Sequence, residues 1–423
     1  MSATTLKRTE RAIRGESAPL FTQPFVMLCL ASLLFFGATN LLSPVLPLYF
    51  QYLHFDGAIA GLLMAIFLLA SMCVRPWIGK LTDRGNKKHL ILLGLLIFIV
   101  SSTLFVFFSD QYILIALRVM QGIGFALVYT AATSAVIDII PTERRVEGIS
   151  HFSNSMKIAM AISPVLGLWL AQKQMHLAAF EISIFLSLLT IVCVAVLPAQ
   201  FFKYKQAQKN LLKRLGADDK PVVGQSLSQP PGRLICPQAV LPGLVMLTNG
   251  LGFGALIPYI PLLASEKAIA NAGLFYTVYA VCLILSRGMT GKIVDKLGRS
   301  TIVLPALALV ILSLMLLAWT SNDVIFLLAA AVYGLANGTL QPTLLAVAVD
   351  RSPKNESGSA MATFTVLNDM GTAAGQFLMG YMGVTLGYAN SLLGIAACSI
   401  VGCLIYMWQH QQEEKPKPCM GAA

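Results

Sequence analysis

Of the ionisable residues that stand in the apolar stretches of this chain or close them, five come first. Arg118, Lys157 and Asp369 lie inside long apolar runs, and Asp138 and Asp350 end two others. Burial raises the pKa of a carboxylate and a nearby cation lowers it, so an aspartate placed with a lysine is suited to a protonation switch. Lys157 and Asp369 are 212 residues apart, as are Asp138 and Asp350. A short charged turn, Gly79-Lys80-Leu81-Thr82-Asp83-Arg84-Gly85-Asn86-Lys87-Lys88, has a partial copy at the same offset, Gly291-Lys292-Ile293-Val294-Asp295-Lys296-Leu297-Gly298-Arg299. The five histidines are scattered without metal-ligand spacing, and the sequence has no phosphate-cradling glycine loop, no HExxH and no nucleophile elbow. The chemistry on offer is charge pairing and proton exchange. No metal and no organic cofactor is expected, and a proton gradient is the expected source of energy.

Membrane helices must position these groups. Hydrophobic residues make up 57% of the chain and charged residues 12%. Soluble domains carry roughly 25% charged residues, so this chain cannot cover a water-facing surface. Apolar runs near 20 residues match the length that crosses roughly 30 Å of hydrocarbon. Twelve spans are expected, at approximately 25–50, 58–79, 89–108, 112–139, 149–172, 177–200, 238–264, 270–290, 301–320, 324–349, 358–384 and 388–408. Lys and Arg gather in the N-terminal tail, in the 2–3, 4–5, 6–7, 8–9 and 10–11 connections and in the C-terminal tail, whereas the opposite connections hold Lys173 and Lys267. By the positive-inside rule both termini are cytoplasmic. The net charge of +11 is therefore a topology signal suited to anionic lipid headgroups, not a nucleic-acid footprint. The eight cysteines form no CxxC pair and read as small apolar fillers. Residues 1–24 are polar and basic, so no cleavable signal peptide is expected.

The expected fold is an all-α membrane protein of twelve transmembrane helices in two pseudo-symmetric six-helix bundles. Its parts are a cytoplasmic tail (1–24), an N-terminal bundle (25–200), a cytoplasmic linker loop (201–237), a C-terminal bundle (238–408) and a second cytoplasmic tail (409–423). The repeat supports the division. Gly122 answers Gly334 at an offset of 212, and Pro44 and Pro47 answer Pro258 and Pro261 at 214. Pro44, Pro164 and Pro258 are expected to kink their helices.

The turn at Gly79–Lys88 resembles motif A of the major facilitator superfamily. Leu114-x-x-x-Arg118-x-x-Gln121-Gly122-x-Gly124 resembles motif B, and Ala159-x-x-x-Ser163-Pro164-x-x-Gly167-Leu168 resembles the motif C of its antiporter branches, with Ser163 and Leu168 where glycines are usual. The likeness covers nearly the whole chain and points to bacterial drug or small-metabolite exporters, some of which carry siderophores or other metallophores. It implies a conformational latch in motif A and its repeat: Gly79, Asp83, Arg84, Gly291, Asp295 and Arg299. Gly79 would let two backbones approach, and Asp83 would cap another helix and pair with basic residues. The motif B arginine, Arg118, would influence protonation of a nearby carboxylate, with Gln121 as polar support.

Lys157 and Asp369 occupy matched positions of the repeat and are expected to face the central cavity as coupling or substrate-contacting residues. The competing reading is a fixed salt bridge. A positive end at Lys157 would suit a substrate bearing carboxylates. Asn40 and Asn249 are candidates for cavity hydrogen bonds, and Asp138, Arg144, Asp350 and Arg351 for inner-gate charge clusters; Arg75 and Arg287 read as snorkelling residues. The functional expectation is proton-coupled efflux of a small molecule by alternating access, in a monomer in the bacterial inner membrane with small-molecule substrate, protons and lipids as partners and no enzymatic activity. The alternatives are a proton symporter or facilitator importing a sugar or organic acid, and a sensor or enzyme on a transporter scaffold.

Overall fold

The structure is a computed structural model that describes residues 20–84, 86–141, 144–197, 236–297, 299–353 and 356–414. Most of both tails and most of the 201–237 loop lie outside the described residues. So do the side chains of Asp83, Arg84, Arg145, Asp295 and Arg299.

Helices account for all regular structure among the described residues. Span 1 is Gln23–Leu42 continued by Val45–Tyr52, and spans 2 to 6 are Gly57–Arg84, Lys87–Phe107, Gln111–Ile139, Arg145–Gln172 and His176–Val196. Span 7 is Pro237–Leu256 continued by Ile260–Glu266, and spans 8 to 12 are Ala272–Leu297, Arg299–Trp319, Asp323–Asp350, Ser357–Leu386 and Tyr388–Glu414. Ten of these are long and apolar enough to cross a membrane. Span 8 has a shorter apolar part, Ala272–Gly288. Span 11 is 30 residues long, but Thr363, Thr365, Asn368, Asp369, Thr372 and Gln376 dilute its apolar character. The least apolar spans are thus among those that carry chemistry.

Local sequence explains the helix ends. Asp110 caps span 4 through its carboxylate, which accepts from the Tyr112 and Ile113 backbone N–H groups at 2.9 and 3.1 Å. Asn322, 212 residues on, caps span 10 in the same way, accepting from Val324 at 2.8 Å. Spans 1 and 7 are interrupted at Ser43–Pro44 and at Ile257–Tyr259, where Pro44 and Pro258 cannot continue the backbone ladder. Span 5 runs unbroken through Pro164.

The chain groups into two compact units that do not follow chain order. The first comprises Met1–Asn40, Cys73–Ser163 and Leu177–Lys220, and the second Leu41–Met72, Pro164–His176 and Pro221–Ala423. In the first unit, span 3 shows an exposed apolar stripe at Leu93, Leu96 and Val100, and span 6 one at Phe185, Leu188 and Val192. Such stripes at helical spacing suit contact with lipid. Residues 31–50 of span 1 and 117–140 of span 4, by contrast, include no exposed side chain. Neither stretch offers an exposed apolar stripe of that kind.

In the second unit the backbones of spans 7 and 11 touch. A Cβ added at Gly250 or Gly254 would lie 2.4 or 2.0 Å from the carbonyl oxygen of Asn368 or Thr372. Reciprocally, one at Gly371 or Gly375 would lie 2.0 Å from that of Leu247 or Leu251. Two Gly-x-x-x-Gly pairs therefore interlock, the small-residue mode of membrane helix packing.

Candidate functional site

The charged turn between spans 2 and 3 ties the first unit together through its two lysines. Asn86 caps span 3 by accepting from the Lys88 backbone N–H at 3.1 Å. That sets the direction in which the next side chains leave the helix. Lys87, 8% exposed, donates from Nζ to the Ser134 carbonyl at 3.1 Å and pairs with the Asp138 carboxylate near the end of span 4. Lys88 donates to the carbonyl oxygens of Ala195 and Leu197 at 2.7 and 2.6 Å. It thereby neutralises the partial negative charge at the end of span 6. Spans 3, 4 and 6 are thus joined by two adjacent ammonium groups.

These contacts bear on two sequence expectations. Asp138 was expected beside Arg144 in an inner-gate cluster. Lys87 reaches Asp138, and Arg144 forks onto Glu147 one turn along, with Nε to Oε2 at 2.8 Å and Nη2 to Oε1 at 2.7 Å. Carboxylate and guanidinium planes match best in this bidentate geometry, and Glu147 lies three residues away. At Gly79, no described heavy atom lies within 4 Å of a Cβ built on it. In the second copy, Gly291 falls in the helical end of span 8, and the surroundings of Gly291, Asp295 and Arg299 lie outside the described residues. Asp350 is exposed at the end of span 10, and Arg351 is the half-buried residue that follows it.

Motif B is a buried relay inside the first unit. Arg118 is 5% exposed, Gln121 1% and Ser102 0%. Arg118 Nη1 donates to Gln121 Oε1 at 3.0 Å, and Gln121 Nε2 donates to Ser102 Oγ at 3.1 Å. The spacing of three residues puts Arg118 and Gln121 on one helix face. A cation this deep needs such polar company.

Asp369 is half-buried on span 11, directly beside the interlocked glycines. Its Oδ1 accepts from Asn368 Nδ2 at 3.4 Å. Thr372 Oγ1 donates to the Asn368 carbonyl at 2.9 Å and fixes the adjacent turn. Lys157 is half-buried on span 5 and belongs to the first unit, whereas Asp369 belongs to the second. Asn40 is half-buried and donates to its own backbone at Phe36 O, 2.8 Å away. Asn249 is 2% exposed and donates to Asn337 Oδ1 at 3.0 Å, so it serves an internal amide pair instead of an open cavity wall.

A ring cluster in the first unit escaped sequence reasoning. Phe35 is fully buried and stacks on Phe125 at 5.9 Å, with Phe98 at 5.3 Å behind it. In front of Phe35, the half-buried Phe36, Phe125 and Tyr129 come together. The Phe125 and Tyr129 rings are 6.0 Å apart and parallel within 5°, while Phe36 stands at 62° and 63° to them. The Arg75 guanidinium lies over Tyr129, 5.4 Å from its centroid. Arg75 is thus turned toward span 4 and not out to lipid headgroups. Arg287 likewise turns toward span 10, donating to Gln341 Oε1 at 3.2 Å. The available sequence signal was the i, i+4 pair Phe125 and Tyr129, which reads equally well as ordinary core.

The sequence model of the Major Facilitator Superfamily matches residues 28–237 and 242–419. The chain is 24% identical over 410 residues to the staphylopine export protein of Staphylococcus aureus, covering 93% of this chain and 97% of that one. It is 31% identical over 150 residues to the quinolone resistance protein NorA of the same species, covering 36% of this chain and 38% of that one. Among solved structures, the nucleoside transporter NupG superposes with a TM-score of 0.72 at 15% identity, covering 92% of this chain and all of that one. A bacterial homologue of the lysosomal transporter Spinster, inward-facing and occupied, gives 0.68 at 14%.

Proposed function

The chain belongs to the Major Facilitator Superfamily, a multi-pass membrane transporter, and on that premise we propose that it exports a small molecule in exchange for protons by alternating access. The observation that carries the direction is the full-length similarity to an export protein, which spans both halves and not one motif. The shorter similarity to a drug-resistance protein supports the same direction. The substrate is a drug-like compound or a metallophore-like metabolite. The protein resides in the bacterial inner membrane with both termini in the cytoplasm, as the distribution of Lys and Arg requires.

Proton coupling rests on Asp369. It is a carboxylate in mid-span, half-buried, on a helix clamped against span 7 by backbone contact. Such a group changes charge without moving its helix, as a coupling site needs. Lys157 supplies the positive charge that favours carboxylate-bearing substrates, and Asp83 acts as the latch that sets the rate of exchange between conformations.

Transport into everted vesicles under an imposed pH gradient tests the reading. Uptake by everted and not by right-side-out vesicles is expected. Asp369→Asn should abolish uphill transport while leaving exchange between equal substrate pools. Full pH-driven transport by Asp369→Asn would overturn the coupling role. Uphill uptake by right-side-out vesicles alone would reverse the direction.

A further inference from the structure

We propose that a cavity between the end of span 1 and the turn from span 5 to span 6 binds an uncharged single-ring molecule bearing an N–H or O–H donor. The inference goes beyond the transport reading, and none of the coupling residues lines the cavity. Its volume is about 210 Å³, and its walls are Leu48, Gln51, Tyr52, Ala171, Gln174 and His176. An apolar cavity of about 150 Å³ already holds benzene, so one ring with a substituent fits here. All six wall residues belong to the second compact unit. The 5–6 connection lies opposite the connections rich in Lys and Arg, so the occupant reaches the cavity from the outer face.

The local chain builds the wall around His176. Span 5 ends at Gln172, and the chain turns through Gln174 at a φ of 60°. The Met175 N–H donates to the Leu170 carbonyl at 3.0 Å, and the Gln174 N–H to that of Ala171 at 2.9 Å. In this helix-ending turn the left-handed residue is usually glycine. Here it is a glutamine, whose amide oxygen is 3.3 Å from His176 Nε2. An amide oxygen only accepts, so the ring proton is on Nε2 and Nδ1 is an acceptor. His176 is 6% exposed, and its Nδ1 is buried with no hydrogen-bond partner among the described residues. An acceptor left in that condition is costly, and a donor on the occupant of the cavity relieves the cost.

The remaining walls set the rest of the ligand's chemistry. Tyr52 is exposed, and its ring lies 5.6 Å from the imidazole with 39° between the planes. It offers a π face to a ligand ring. Leu48 and Ala171 are apolar, and the Gln51 amide can both donate and accept. No charged side chain lines the cavity. Lys173, beside Gln174 in the chain, holds its ammonium over the Trp169 ring, 4.3 Å from the centroid. An ion would shed its water there without meeting a counter-charge, so the occupant is neutral.

The test uses the purified full-length protein in nanodiscs without a pH gradient. Its probes are nicotinamide, N,N-dimethylnicotinamide and nicotinate, followed by saturation-transfer NMR. Nicotinamide should bind at least about fivefold more tightly than the dimethyl amide, which has no N–H to offer Nδ1. Nicotinate should bind more weakly than nicotinamide by a similar factor, because it is charged. Ala171→Met fills the cavity without touching the imidazole and should weaken nicotinamide about fivefold or more. His176→Phe keeps a ring and removes Nδ1, so it should erase the preference for nicotinamide over the dimethyl amide. His89→Phe, at an exposed histidine of span 3, should leave that preference intact. The absence of saturable nicotinamide binding would overturn the proposal without any reliance on variants, and so would tighter binding of the dimethyl amide or nicotinate. Unchanged nicotinamide binding by a folded Ala171→Met protein would do the same. Because no gradient is applied, failure here leaves proton-coupled export standing, and loss of uphill transport in Asp369→Asn leaves the probe ranking standing.

Discussion

Where spans 7 and 11 of the second unit meet through Gly250, Gly254, Gly371 and Gly375, the corresponding positions of spans 1 and 5 hold Phe36, Asn40, Ala159 and Ser163. The offsets are those of the repeat, 214 for the first span and 212 for the fifth. At these positions one crossing has backbone against backbone and the other has side chains. The nearest counterpart in spans 1 and 5 is displaced: Gly37 meets Ser163 Oγ, its added Cβ 3.2 Å away, and farther along Gly167 packs on the Leu41 carbonyl. Behind the crossing the contrast continues. Asn249 and Asn337 share a hydrogen bond at the positions where Phe35 and Phe125 stack. A duplicated unit can keep its helix lengths and caps while one copy is closed by glycines and amides and the other presents rings.

The largest difference should appear at the other matched pair, Asp138 and Asp350. Asp138 and Lys87 have side chains only 8% and 10% exposed, whereas Asp350 is exposed. Asp138→Asn strands the Lys87 ammonium and should destabilise the protein by about 3–5 kcal/mol. Asp350→Asn should cost less, because water screens an exposed carboxylate more than a buried one. Lys87→Gln combined with Asp138→Asn should recover most of the loss. Thermal unfolding of purified protein measures all three, and equal losses for Asp138→Asn and Asp350→Asn would erase the asymmetry.

Exchanging the crossings comes next. Gly371→Ala with Gly375→Ser copies the first half into the second and sets Cβ atoms 2.0 Å from the Leu247 and Leu251 carbonyls. The helices must separate, at about 1–3 kcal/mol for each site. The reverse change, Ala159→Gly with Ser163→Gly, should cost no more than about 1 kcal/mol per residue through helix propensity. If both pairs cost the same, the glycines are not what distinguishes the halves. A third exchange concerns the amides. Asn249→Leu leaves the buried Asn337 amide without that bond and should cost about 1–3 kcal/mol, while Asn249→Leu with Asn337→Leu should return close to the parent, since apolar replacement of both partners is nearly neutral.

Much of this architecture was legible in advance. Apolar run length located all twelve helical spans, with most ends within a few residues, because crossing hydrocarbon constrains length so strongly; spans 8 and 12 continue as helix to Leu297 and Glu414, beyond the expected ends at 290 and 408. The offset of 212 identified equivalent residues correctly enough that Asp110 and Asn322 prove to be matching caps. Partner choice was not legible. Lys87, Arg144 and Asp138 all lie near the same helix ends in sequence, and only the direction in which each side chain leaves its helix decides which ions meet. The glycines were visible as Gly-x-x-x-Gly in spans 7 and 11, yet the signal says that some helix approaches, not which one. A glycine in a charged turn carries no mark of whether anything packs on it, and at Gly79 no described atom does.

The smallest effect on stability, and the sharpest test of what the comparison means, lies at Tyr129 and Gln341. These equivalent positions both receive an arginine, Arg75 through a ring face and Arg287 through a hydrogen bond at 3.2 Å. Tyr129→Gln gives the first half the second half's partner. Arg75 then exchanges a cation–π contact for an amide oxygen, so stability should shift by about 1 kcal/mol or less. Gln341→Tyr makes the reverse exchange and should likewise shift stability by about 1 kcal/mol or less, because the Arg287 guanidinium then meets a ring face in place of an amide oxygen. Thermal unfolding of both variants decides the point. A loss of several kcal/mol at Tyr129→Gln alone would mean that the ring packing with Phe36 and Phe125, and not the arginine contact, is what Tyr129 supports.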